Sequence, residues 1–146
     1  MFDKTLVPLY MLYCMNGEIR GRTRFQKLVF LTKEKVKEKN DSELDIAFTC
    51  LHYGPFSRDL MESLKTQSKE GTVDEQLEEN SYGLTYVYKL TDSGLELIEN
   101  AIGLKLIPKD VQHMAKAVAK NFGEMPLEEL IARVYREYPD YDPHRQ

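Results

Sequence analysis

Apolar residues recur along this chain at two alternating periods, helical in some stretches and strand-like in others, and turn residues separate the stretches. Leu6, Leu9, Tyr10 and Tyr13 follow helical spacing, Leu12 widens the stripe, and Asn16-Gly17 supplies a stop, which predicts a first helix over residues 4–15. Phe25, Leu28, Val29 and Val36 fall on one face of a second helix, expected over 23–39, and Asn40-Asp41-Ser42 breaks it. The run "LDIAFTCLHY" is β-branched and aromatic and leads into a Gly-Pro turn. It reads as a strand, with a short buried helix as the alternative. Ser57 is a good N-cap for the next helix, whose stripe is Phe56, Leu60, Met61 and Leu64 and whose stop is Gly71.

Period two then takes over. Val73 and Leu77, followed by Leu84, Tyr86, Tyr88 and Leu90, predict a hairpin around "EENSYG" with one packed face and one wet face. Thr91 or Asp92 caps a helix that closes at Gly103. Pro108 and Pro126 start two more, with Val111, Met114, Ala115 and Val118, then Leu127, Leu130, Ile131, Val134 and Tyr135, turned inward. The expected order is helix, helix, strand, helix, hairpin and three helices. The fold class that follows is mainly α (α+β), a winged helix-turn-helix with a small antiparallel sheet and extra C-terminal helices. One domain spans residues 1–146, with a core at 4–103, a helical extension at 104–138 and a tail at 139–146 expected to fray.

Three blocks carry a resemblance. Phe25-Gln26-Lys27-Leu28 on the second helix, Tyr53-Gly54-Pro55 ahead of the third, and "LEELIARVYREYPDY" near the end resemble segments of prokaryotic YwgA-like winged-helix proteins. They are also similar to antitoxin SocA-like (Panacea) domain proteins. "LTDSG", closing the hairpin, is a pattern shared with PadR-like and MarR-like regulators. The resemblance runs over about residues 5 to 141. It implies a domain like those of transcription regulators or an antitoxin-like partner binder, and it transfers no catalytic site.

Charge sharpens this picture. The total is −4, which argues against general nucleic-acid affinity, yet the sign is segregated. Residues 20–39 hold eight Arg or Lys against Glu34 and Glu38, or +6. Residues 70–100 hold eight Asp or Glu against Lys89 alone, or −7. On the third helix, Arg58, Lys65 and Lys69 share a face with Glu62, and Thr66 and Gln67 add groups able to meet bases or phosphates. With Arg22, Arg24 and Lys27 they form the expected contact set for double-stranded DNA, and the function expected from it is a DNA-binding transcriptional regulator. An ordinary solvated helix face has the same composition. The hairpin opposes the DNA reading, because Asp74, Glu75, Glu78 and Glu79 would repel phosphates. The alternative is a protein-interaction adaptor or antitoxin-like module. A homodimer through the C-terminal helices, whose "HMAKAVAKNFG" carries small alanines, competes with a plain core-completing role for them.

Enzyme chemistry finds no constellation. His52, His113 and His144 lack ligand spacing to one another or to Cys14 and Cys50, so no metal or cofactor is expected. Ser57 lacks the glycines of a nucleophile elbow, and "GEIRGR" lacks the Lys-Ser/Thr of a phosphate loop. The adjacent pairs Glu78-Glu79 and Glu128-Glu129 diverge on any regular element. Both cysteines lie in apolar runs and read as buried thiols in a reducing, cytoplasmic setting. Neither a membrane span nor a signal peptide is expected.

Overall fold

A computed structural model of the chain describes residues 2–81 and 83–145. Helix α1 (Leu6–Cys14) is the hub. Every residue from Leu6 to Leu12 is buried, Pro8 included, so this helix is apolar all round rather than along one stripe. Such a helix needs neighbours on every side. Helices α2 (Arg22–Asn40), α3 (Arg58–Glu70), α4 (Asp92–Gly103) and α5 (Lys109–Phe122) supply them, and α6 (Leu127–Glu137) closes over α2. One continuous hydrophobic cluster includes Leu12, Leu28, Leu60, Tyr88, Ile98, Met114 and Leu130, so the C-terminal helices complete the same core.

The strands are few and short. β4 (Val73–Asn80) and β5 (Gly83–Leu90) form the expected hairpin, paired from Val73↔Leu90 to Asn80↔Gly83. β1 (Glu18–Arg20) pairs antiparallel with the other edge of β5, giving the sheet order β1-β5-β4. That strand lies in "GEIRG", read from sequence as a connector. Three residues carry too little alternation to reveal a partner some 70 positions later. Residues 44–53 also differ from expectation. Only Thr49–Leu51 (β2) is extended, and it turns back on Gly54–Phe56 (β3) to make a two-stranded ribbon. Cys50 stands exposed on this ribbon rather than buried, while Cys14 is half-buried in α1. No helix among the described residues is long and apolar enough to cross a membrane.

The element ends follow local chemistry. The Ser57 hydroxyl accepts from the Leu60 amide, and that of Thr91 accepts from Gly94, each relieving an orphan N–H of a first turn. Gly71 takes a left-handed conformation (φ 84°) at the end of α3. The residues expected to fray do not all do so. Tyr141, which ends a 3-10 turn at Pro139–Tyr141, and Tyr138 just before that turn set their rings edge-on to Phe30 at 4.7 and 5.3 Å. Aromatic burial outweighs the polarity of "PDYDPHRQ".

Where α4 leaves the sheet, Gly94 is pressed against the chain entering β4, and a Cβ there would lie 2.1 Å from the Thr72 carbonyl oxygen. Backbone cannot swing aside as a side chain does. Gly94→Ala is expected to lower stability by about 2 kcal/mol or more, read as a drop in the urea midpoint at unchanged m-value.

Candidate functional site

The polar side chains of α2 decide where α3 sits. Gln26 is 3% exposed, and its amide bridges the backbone of Ser57 in both directions. Nε2 donates to the Ser57 carbonyl at 3.0 Å, and Oε1 accepts from the Ser57 N–H at 2.7 Å. The next residue, Lys27, donates from Nζ to the Tyr53 carbonyl. Gly54, between these anchors, adopts φ 96°, and a Cβ on it would come within 2.7 Å of the Tyr135 ring and 3.3 Å of Lys27 Nζ. Glycine is therefore required twice over, by conformation and by space. The "QK" and "YGP" segments are two halves of one clamp that holds the N-terminus of α3.

The eight residues expected to contact DNA separate into two groups. Lys27 is 1% exposed, and its ammonium faces Tyr53 rather than solvent. Gln67, 7% exposed, donates to the Thr5 carbonyl at 2.7 Å and ties α3 to the start of α1. Arg24 reaches back to cap the end of α5, donating to the carbonyls of Gly123 and Met125 at 3.1 and 2.6 Å. Arg22 lies 3.6 Å over the Tyr86 ring and donates to Tyr88 Oη and Glu75. Arg58, Lys65, Thr66 and Lys69 alone project from α3 into solvent, with Glu62 and Glu70 exposed beside them. On the flank, Asp59 pairs with Lys4 at 3.5 Å.

Sequence spacing had set Arg22, Arg24 and Lys27 apart as one basic surface. In space each answers to a different partner. Two of the hairpin carboxylates expected to repel phosphates pair with the first two arginines of the basic segment, Glu75 with Arg22 at 3.1 Å and Glu78 with Arg20 at 2.7 Å. Farther along α2, Lys33 bonds the Leu44 carbonyl and Lys35 pairs with Glu137.

Two surfaces were not legible beforehand. The hairpin was expected to pack one face throughout, but only its base does so. Tyr88 is 1% exposed, whereas Leu84 and Leu77, on the same face farther out, are 66% and 52% exposed, with Tyr86 between them and the core. Beneath the β2–β3 ribbon lies a second feature, an apolar cavity of about 280 Å³ lined by Thr23, Gln26, Lys27, Leu51 and Tyr53 among others. Its lining comes from segments separated by some 25 positions, so no local signal announces it. Of the alanines expected to admit a second copy, Ala115 and Ala119 are buried in this chain's own core and Ala117 is half-buried. No group of three or more His, Cys, Asp or Glu side chains among the described residues is arranged to hold a metal ion.

The fold and this surface define an α+β protein whose described residues form six α-helices and a small antiparallel sheet, with a clamped α3 and an acidic hairpin beside it. No protein-family model matches the chain. Over 98 residues it is 28% identical to the uncharacterised protein YwgA of Bacillus subtilis (strain 168), a match that spans 67% of this chain and 56% of that protein. The chain thus aligns with little more than half of that relative's length. The likeness agrees with the YwgA-like resemblance of the sequence blocks.

Two outcomes follow for the clamp. Gln26→Leu keeps the volume but leaves the Ser57 N–H and C=O buried without partners, so a loss of about 2–4 kcal/mol is expected in chemical denaturation; a loss below 0.5 kcal/mol would refute the clamp. Burial pulls the Lys27 ammonium from its ordinary 10.5 down to about 8. The unfolded chain then binds the extra proton between those values, so the unfavourable Lys27 contribution is full below pH 8 and fades as pH rises toward 10.5. Cys14, pushed up to about 11 by burial, works in the opposite direction. The stability of the wild type minus that of Lys27→Met cancels the thiol, and this difference is expected to grow from pH 7.5 to 10.

Proposed function

We propose that the chain is a winged-helix module whose working surface docks a protein partner rather than reading duplex DNA. The order of elements supports the winged-helix reading: α1, the short strand β1, α2, α3, then a hairpin whose second strand pairs with β1. The β2–β3 ribbon is an insertion between α2 and α3. In a DNA-reading member of such a fold, α3 enters the major groove while flanking cations hold the phosphates.

The observation that carries the protein-docking reading is the pairing of the first two arginines of the basic segment with carboxylates of the hairpin. Affinity for a phosphate backbone grows with the number of uncompensated cations brought to it. Arg20 and Arg22 are engaged by Glu78 and Glu75, and Arg24 by carbonyls of the α5–α6 connection. Three cations are left on α3, with Glu62 and Glu70 exposed among them. Beside them β4, the sheet's edge strand, presents Asp74 and Glu79, a poor neighbour for a phosphate chain. The outer hairpin instead offers Leu77, Leu84 and Tyr86 within a carboxylate rim, apolar anchors framed by charge in the manner of a protein interface. The partner that fits has apolar side chains to cover these leucines and basic ones to meet β4. An antitoxin-like role is one form of this function.

Two measurements test the proposal. Anisotropy titration with a duplex carrying the chain's own promoter at about 50 mM salt is expected to show no binding tighter than the micromolar non-specific level. A sequence-selective nanomolar complex weakened by Lys65→Ala would return α3 to a DNA-reading role. In co-purification from the native host, Leu77→Asp with Leu84→Asp is expected to abolish partner recovery while Lys65→Ala leaves it intact. Recovery unaffected by the leucine changes would move the docking face elsewhere.

A further inference from the structure

The cavity beneath the β2–β3 ribbon is separate from the hairpin surface and differs from the rest of the molecule in charge. Leu51, Tyr53, Pro55 and Phe56 give it apolar walls, and its titratable neighbours on the α2 side are Arg22 and Lys27, with His52 on the ribbon. No carboxylate among the described residues lines it, in a chain where 24 acidic residues outnumber 20 basic ones. Leu51 and Tyr53 stand 48% and 69% exposed at its mouth, apolar surface that the chain itself leaves uncovered.

Lys27 gives the cavity its specific chemistry. The side chain is 1% exposed and makes one hydrogen bond, to the Tyr53 carbonyl, with no carboxylate in ion-pair range among the described residues. An ammonium has three donors, so two lack a protein acceptor. Burial lowers its pKa to about 8, which still leaves it charged at neutral pH. A buried cation without a counterion is destabilising, and an anion brought to it in an apolar setting interacts far more strongly than in water. A volume of about 280 Å³, at ~30 Å³ for each water-sized share, suits a ligand of roughly ten non-hydrogen atoms. That is the low end of small-molecule sites.

We propose that this cavity binds a small apolar monocarboxylate, with the carboxylate against Lys27 and the hydrocarbon between Leu51, Tyr53 and Phe56. The three requirements of such a ligand are met by three separate features: a cation without a counterion, apolar walls, and no competing carboxylate. Gln26 and Thr23 line the same cavity, but the Gln26 amide is already engaged at both ends by Ser57, so Lys27 carries the recognition of charge.

Isothermal titration of the full chain with octanoate and with its neutral isostere octanamide provides the test. Octanoate is expected to bind at one site and at least tenfold more tightly than the amide. Lys27→Met, checked for folding by circular dichroism, is expected to erase that preference. Leu51→Ser, at an exposed position, should weaken octanoate several-fold without touching the fold. Equal binding of octanoate and octanamide by the wild type would overturn the proposal, as would no binding of either. A short peptide ending in a free leucine carboxylate that binds where octanoate does not would assign the site to chain ends, and would overturn the small-molecule reading too.

Discussion

Two hydrogen bonds between one side chain and one backbone residue decide the placement of the surface described above. The Gln26 amide takes both the N–H and the C=O of Ser57 in a space closed to water. Buried backbone groups at a helix entry need partners, and here another helix supplies them. Ser57 is thereby fixed as the cap of α3, Leu60 and Leu64 turn toward α1, and the charged face turns outward by necessity. Lys27 on Tyr53 and the glycine at position 54 complete the clamp from the ribbon side. A helix held at its first residue in this way has its orientation determined before any surface residue matters.

The same economy of partners explains the electrostatics. A chain with +6 in one segment and −7 in another could have built two separate fields. The hairpin folds back so that Glu75 and Glu78 meet Arg22 and Arg20. These pairs are partly exposed and contribute little to stability, but they set a carboxylate against each of Arg20 and Arg22. What is left on α3 is a mixed face, and what is left on the hairpin is an apolar tip with carboxylates around it. Charge that is paired internally gives no steering toward nucleic acid.

Much of the framework was legible because it rests on local chemistry. Ser57, Thr91, Gly71 and the two prolines mark helix ends by rules that act within one turn, and four of the six described helices, α3 to α6, show a clear apolar stripe. The errors have a common cause in contacts between distant residues. β1 takes its identity from β5, the β2–β3 ribbon exists because Gly54 must pass Tyr135 and Lys27, and Tyr141 is anchored by Phe30. Gln26 and Lys27 are the clearest case. On sequence they are polar members of a basic helix, and Lys27 reads as a phosphate contact. Their acceptors lie 31 and 26 residues away, so their burial has no local signature. Gln67 is buried for the same reason, its acceptor being Thr5.

The central claim is that the arginines preceding and opening α2 answer to the protein's own groups and not to nucleic acid. Side-chain Nε–H spectra of the arginines, recorded while a 20-base-pair duplex is added at low salt, address it directly. The account predicts that the resonances of Arg20, Arg22 and Arg24 stay in place, with at most a weak, salt-sensitive movement of Arg58. Saturable shifts of Arg22 and Arg24 together with Arg58 would show these pairs opening to grip DNA, and would contradict it.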